Sequence, residues 1–186
     1  LELYRKDKLS IRMAETEDAE RLLEIYGPYV TDTVITFEYT VPSKEEFQGR
    51  IQNISEKYPY LVAELDGKIV GYAYATPYKS RAAYQWSVET SIYIDKEYHR
   101  IGAGTALYTE LFKLLEKQKI RNLYACVTLP NEKSQKLHEK FGFELIGRFH
   151  RSGYKLNDWH DIGWFEKKLE FESDVPEVVR NIKEVL

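Results

Sequence analysis

The chain has 186 residues, enough for one domain with a sizeable core, and its 43% hydrophobic and 31% charged residues are a globular mix. A net charge of −3 argues against broad electrostatic attraction to nucleic acid, and no apolar run approaches the roughly 18 residues of a membrane-spanning helix. One cysteine, Cys126, excludes an intramolecular disulfide, and LELYRKDKLSIRM lacks the apolar stretch of a secretory leader, so a cytoplasmic location is expected.

In chain order, LSIRMA reads as a short strand and TEDAERLLEIYGPYV as a helix, capped by Thr16 and ended by Gly27-Pro28. DTVITFEYTV is an extended segment. PSKEEFQGRIQNISEKYP is a second helix, with Ser43 and Glu46 as a capping box and Pro59 beyond its end. YLVAEL and KIVGYAYATPY flank Asp66-Gly67, the signature of an antiparallel hairpin. AYQWSVETSIYI is a further strand of about ten residues. A glycine-containing segment then opens a helix running to Lys119, with Leu107, Leu111, Leu114 and Leu115 on one face.

NLYACVTL reads as a buried strand, NEKSQKLHEKFG as a short helix closed by Gly142, and residues 143–171 as a strand pair. The order β-α-α-β-β-β-α-β-α-β-β thus describes a single domain over residues 1–170. In the tail, 171–186, Val175, Val178, Val179, Ile182, Val185 and Leu186 fall on one helical stripe, read as a terminal helix packed on the domain, with a dimer contact or a disordered tag as the alternatives.

EYHRIGAGTALYTELF carries two glycines between a strand and a helix. Glycine lets backbone amides approach an anion closely, and the helix N-terminus adds its dipole. A nucleoside-triphosphate loop needs a Lys-Ser/Thr pair after the second glycine, and none follows Gly104. A dinucleotide loop needs a small residue at Leu107 and an acid after the next strand, where Asn131 stands instead. A tight turn without a ligand remains open on the residues alone.

HRIGAG resembles the pyrophosphate loop of the GNAT acyltransferases, (Gln/Arg)-x-x-Gly-x-(Gly/Ala), with His99 where Gln or Arg is usual. WSVETSIYI, YHRIGAGTALYTELF, LPNEKSQKLHEKFGF and GYKLNDWHDIGWFEKKL, with TFE and YKSRAAY before them, resemble the phosphinothricin N-acetyltransferase branch of that family over residues 10–170. The resemblance implies an α/β GNAT fold: a mixed, mostly antiparallel central sheet flanked by helices, with strands splayed at the acetyl-CoA site. It also implies a homodimer, acetyl-CoA as co-substrate, and a small-molecule amine as acceptor. That acceptor is an amino-acid analogue of the phosphinothricin, methionine sulfoximine or methionine sulfone type. A GNAT enzyme for another amine, or a CoA-binding module without turnover, are the competing readings.

Transfer of acetyl to an ammonium needs a base, an aimed amine, donors to the oxyanion and a proton for the thiolate. Strand alternation puts Glu89, Ser91 and Tyr93 on one face and Val88, Thr90, Ile92 and Ile94 on the other. An exposed strand glutamate accounts for Glu89 on the residues alone; the resemblance implies that it is the base. The backbone of Ile92, Tyr93 and Ile94 is implied to pair with the pantetheine arm. Arg100, Ile101, Gly102, Ala103, Gly104 and Thr105 are implied to hold the pyrophosphate.

Asn131, Ser134 and His138 fall at i, i+3 and i+7, a polar stripe facing the coenzyme, while Leu137 and Phe141 point to the core. His138 stands where many family members carry a tyrosine acid; it protonates the thiolate, positions substrate, or is a surface histidine. The resemblance implies that the loop of Arg81 and Tyr84 faces the acceptor, where Arg81 suits a bidentate substrate carboxylate and Tyr84 adds a hydrogen bond. On the residues alone Arg81 is equally an exposed loop arginine, and Phe37 walls the acceptor pocket or belongs to the core. Cys126 lacks an adjacent base in sequence, which disfavours covalent catalysis. Trp159, His160 and Asp161 order the last strand, and no cluster has zinc-site spacing, so no metal is expected.

Overall fold

The computed structural model describes residues 2–6, 8–171 and 173–186. Eight strands form one sheet: β1 (Glu2–Lys6), β2 (Leu9–Met13), β3 (Tyr60–Leu65), β4 (Lys68–Pro77), β5 (Ser87–Ile94), β6 (Asn122–Leu129), β7 (Glu144–Lys155) and β8 (Asp158–Lys168). Their order is β1-β2-β3-β4-β5-β6-β8-β7, and every neighbouring pair is antiparallel except β5–β6. Helices α1 (Ala19–Asp32) and α2 (Lys44–Ser55) cover one face; α3 (Ala103–Lys117) and α4 (Glu132–Lys140) cover the other. No helix among the described residues is long and apolar enough to cross a membrane.

Two cores follow from the alternation of the strands. Leu22, Ile25, Tyr26, Phe47 and Ile51 pack against Tyr60, Val62 and Tyr72 on the first face. Leu107, Leu111 and Leu115 pack against Leu61, Ala63, Ala73, Leu123 and Phe165 on the second. The β3–β4 hairpin turns at Asp66 and Gly67, both with positive φ (51° and 79°), as an Asp-Gly turn requires. Ser43 Oγ caps α2 by accepting the Glu46 amide at 3.1 Å, but the Glu46 carboxylate turns to Arg50 instead of completing a capping box.

Several expectations from local sequence are corrected. Thr16 does not cap α1; it starts a 3₁₀ turn, Thr16–Asp18, whose entry is held by Asp18 through the Glu15 amide (2.8 Å) and Arg12 (2.7 and 2.9 Å). Nor does Gly27-Pro28 end the helix, which runs on to Asp32. Burying Val30 beyond the proline offsets the lost amide, and Thr31 and Thr33 hydroxyls bond the carbonyls of Gly27 and Tyr29. Residues 33–42 form an irregular strap rather than an extended strand, and β5 begins only at Ser87, after a 3₁₀ turn at Ala82–Tyr84. β1 adds an edge strand that the pattern did not reveal.

The tail is not a helix; it carries one 3₁₀ turn, Ile182–Glu184. Its carbonyls, which a helix would use, bond side chains of the body: Arg121 to those of Ser173, Asp174 and Val175, Trp86 Nε1 to that of Glu177, and Gln118 to that of Arg180. Ile182 enters the second core, whereas Val175 and Val178 face solvent.

Candidate active site

β5 and β6 pair for three residues only, Ser87–Glu89 against Asn122–Tyr124. Beyond them β5 stays with β4 as far as Ile94, which packs over Gly71. A side chain at Gly71 would meet Ile94 Cδ1 at 2.5 Å, so the close approach requires glycine there. The far edge of β5 therefore faces a gap, with Thr90–Tyr93 on one side and Ala125–Thr128 on the other. Ser91 and Cys126 line it on the Glu89 face, Thr90, Ile92, Ala125 and Val127 on the α3/α4 face, so the cavity passes through the sheet. Ile35 of the strap closes one end; Asn131, Ser134 and His138 of α4 and Tyr108 of α3 border the other.

On the α3/α4 side, the glycine loop has the conformation of an anion cradle. Gly102 sits at φ 89° as the N-cap of α3, and Arg100 before it is also left-handed, φ 69°. The first intrahelical bond runs from the Ala106 amide to the Gly102 carbonyl (3.0 Å), so the amides of Ala103, Gly104 and Thr105 have no partner within the helix. A side chain at Gly104 would meet Ile92 and Leu137 at an unstrained 3.7 Å, so nothing in the protein itself demands glycine at that position. Lys140, a cation that the motif did not include, reaches Thr105 Oγ1 at 3.1 Å. Free amides, the positive end of α3, Arg100 and Lys140 fit a pyrophosphate, and the adjoining gap fits a narrow thioester-bearing arm.

On the opposite face stands Glu89, at the last residue of the parallel pairing. It is half-buried, and its carboxylate has no hydrogen bond among the described residues. Burial raises its pKa, partly offset by the nearby Lys79 ammonium. That ammonium lies 4.8 Å from the Tyr78 ring centre, and Tyr78 stacks on Tyr124 at 4.5 Å and meets Trp164 edge-on at 5.8 Å. Arg81 and Tyr84 project from the same loop, both exposed; Arg81 has no partner among the described residues, and Tyr84 touches Tyr78 edge-on.

Phe37 is half-buried against β7, 6.4 Å from the His160 ring. His160 shares its sheet face with Trp164, Cys126 and Glu89, so Phe37 lies on the Glu89 side of the gap. Glu38 is committed structurally, accepting from Tyr26 (2.9 Å) and Arg50 (2.7 Å). Cys126 is exposed rather than buried, but desolvation and the Glu89 carboxylate push its thiol up to about 11, away from nucleophilic use. Asp161 accepts from the Arg151 amide, Arg148 and His150, which holds its pKa down at about 2 and orders the β7–β8 hairpin.

His138 is not a surface residue: it is 3% exposed. Its Nδ1 lies 2.7 Å from the Ser134 carbonyl oxygen, which fixes the proton on Nδ1, so Nε2 accepts from the Tyr108 hydroxyl at 3.0 Å. Burial lowers its pKa, keeping the ring neutral. Asn131 spends its side-chain oxygen on the Ser134 amide (3.2 Å), capping α4. Tyr108, buried on α3 and absent from the sequence-based site, ties α3 to α4 beside the gap; a tyrosine on a leucine-rich helix carries no local sign of that partner.

A split parallel pair, an amide cradle on one face and a lone carboxylate on the other define an acyl-group transferase. The acetyltransferase (GNAT) domain profile matches residues 11–164, and the chain belongs to the GNAT acetyltransferase family. It is an acetyl-CoA-dependent N-acetyltransferase, and the sheet and helices are those of the GNAT fold. It is 33% identical to a phosphinothricin N-acetyltransferase of Streptomyces viridochromogenes, over 95% of this chain and 96% of that one. An L-methionine sulfoximine/L-methionine sulfone acetyltransferase of Pseudomonas aeruginosa is 27% identical, over 90% and 98% of the two chains. A GNAT phosphinothricin acetyltransferase of Sinorhizobium meliloti, solved in complex with AcCoA, superposes with a TM-score of 0.87 at 34% identity, over 91% and 94% of the chains.

Proposed function

We propose that the chain acetylates the amino group of a small amino-acid analogue, of the phosphinothricin or methionine sulfoximine/sulfone type, by direct transfer within a ternary complex. Acetyl-CoA supplies the activated acetyl thioester. The amides at 103–105 with Arg100 bind its pyrophosphate, and the edge of β5 at 92–94, whose Ile94 carbonyl already accepts from the Tyr29 hydroxyl, orients the pantetheine arm in the gap. Glu89 takes the proton of the acceptor ammonium, directly or through a water; its raised pKa makes it a better base than a solvated glutamate. Arg81 and Tyr84 hold the acceptor carboxylate. His138, with both ring nitrogens engaged, braces Tyr108 and α4 rather than delivering a proton, so the thiolate that leaves as the amide bond forms takes its proton from solvent.

One observation carries this reading: the Glu89 carboxylate, without a partner among the described residues, stands where β5 and β6 part, on the sheet face opposite the amide cradle. Donor and acceptor then meet through the sheet. The test is thiol release from acetyl-CoA across a panel of α-amino acids, sulfoximine and phosphinic analogues, polyamines and peptides. Saturation by an amino-acid analogue, lost when its carboxylate is esterified, is expected; turnover of polyamines or peptides alone overturns the acceptor assignment.

A further inference from the structure

The strap 33–42 is pinned on both sides of Phe37. Before it, the Thr36 carbonyl accepts from the buried Lys155 ammonium at 2.6 Å, and the Thr36 hydroxyl bonds Tyr26 at 2.8 Å. After it, Glu38 is held by Tyr26 and Arg50, and the Tyr39 hydroxyl bonds the Tyr154 carbonyl. Between these fixed points the Phe37 ring lies on the backbone of Gly153, at the end of an irregular stretch of β7. A Cβ at Gly153 would stand 2.1, 2.3 and 2.6 Å from three carbons of that ring. Such an overlap is relieved most cheaply by a turn or lift of the ring, the far end of a flexible side chain, because the strap on either side is tethered.

We propose that Gly153 is a specificity-determining residue: the missing side chain lets Phe37 sit low against β7 and so sets the depth of the acceptor pocket on the Glu89 face. The inference rests on the acetyltransferase reading above, and it concerns the acceptor alone. Gly153 pairs with His160, which shares the face of Trp164, Cys126 and Glu89. The cradle and the arm of the coenzyme lie on or through the other face. A ring lifted by a methyl group at residue 153 therefore intrudes on the acceptor and leaves the coenzyme untouched.

Steady-state kinetics with both substrates varied, on whichever amines the wild-type enzyme acetylates, test the idea through Gly153→Ala, Phe37→Ala and the double variant. Gly153→Ala is expected to raise the acceptor KM about tenfold or more while the acetyl-CoA KM stays within about twofold. Phe37→Ala removes the ring that the methyl would strike, so adding Gly153→Ala to it should change the acceptor KM by less than about threefold, and both should turn over bulkier acceptors. An unchanged acceptor KM in Gly153→Ala, a parallel rise in both KM values, or a full Gly153→Ala penalty in the Phe37→Ala background overturns the inference. Should Gly153→Ala not accumulate as folded protein, the comparison of Phe37→Ala with the double variant decides by the same threshold. A wild-type enzyme that acetylates none of the panel instead overturns the function, a result separate from any difference between variants.

Discussion

Glu89 and Tyr124 form the last parallel pair between β5 and β6, so the strands separate at the residue whose carboxylate has no partner among the described residues. The fold thereby places a carboxylate beside an opening without spending a loop on it. Glu89→Gln keeps the shape and removes the basic oxygen. The expected result is a loss of about 10²–10⁴ in kcat with the acetyl-CoA KM within about twofold. Coenzyme binding retained by a wild-type protein that releases no thiol with any amine would instead make the domain a binding module.

The pH dependence follows from the raised Glu89 pKa, caused first by burial and tempered by Lys79. Activity needs the ionised form, so the acid limb of kcat/KM should lie above the ordinary glutamate value of about 4.3. Stability moves the other way. As pH rises, the unfolded chain loses this proton first, and between the two pKa values the folded state holds more protons than the unfolded. Unfolding free energy therefore falls through that window and the deficit persists above it. Glu89→Gln, which has no proton to lose, should melt higher than wild type at neutral pH and at the same temperature near pH 4 or below. A lower neutral-pH melting point in Glu89→Gln would contradict the burial argument.

Much of the fold was legible because its signals are local. Asp66-Gly67, Ser43 and the spacing of Leu107, Leu111 and Leu115 each act over a few residues, and the glycine loop announces its own geometry. What stayed hidden depends on partners far away in the chain. Tyr108 meets His138 across 30 residues, and Lys155 reaches Thr36 across 119. The same cause moved α1 through Pro28 and unwound the predicted tail helix: tertiary burial and side chains such as Arg121 competed for groups that a local rule assigns to the helix. His138 illustrates the limit within the site. It borders the gap with Asn131 and Ser134, but it is buried more deeply than Leu137 or Phe141, and its burial and tautomer are set by α3 and by the Ser134 carbonyl.

His138→Ala takes the Nε2 acceptor from the buried Tyr108 hydroxyl and leaves it only its contact with Thr90, a loss of up to about 1–3 kcal/mol. Thermal unfolding should register that loss. At temperatures where the variant is folded, kcat should fall by less than about tenfold, and no limb should vanish from the pH profile. A drop comparable to that of Glu89→Gln, with an alkaline limb abolished, would restore the imidazole as proton donor.

The Arg81 side chain is exposed and has no partner among the described residues, so Arg81→Ala should leave stability within about 0.5 kcal/mol. A charge-assisted bond to the acceptor carboxylate contributes about 1.5–3 kcal/mol, so the acceptor KM should rise about 10- to 150-fold with the acetyl-CoA KM unchanged. Arg81→Lys keeps the charge but not the paired donors, and it should recover only part of that loss. Equal acceptor KM values for wild type and Arg81→Ala would move the anchor to another cation, with Lys79 next in the same loop.

Gly104→Ala separates what the helix wants from what the ligand wants. In the first turn of α3 the residue is helical, and alanine is favoured over glycine there by up to about 1 kcal/mol. The added Cβ would meet Ile92 and Leu137 at 3.7 Å without strain, so the free protein should be as stable as wild type or slightly more so. The same methyl group stands between β5 and α4, at the mouth of the gap beside the free amides. If the coenzyme arm threads there, the acetyl-CoA KM should rise about tenfold or more while the melting point holds or increases. Gly102→Ala is the contrast: at φ 89° it strains the backbone, so stability and coenzyme affinity should fall together. An unchanged acetyl-CoA KM in Gly104→Ala would mean that the arm enters elsewhere and that this glycine is only a tolerated helix residue.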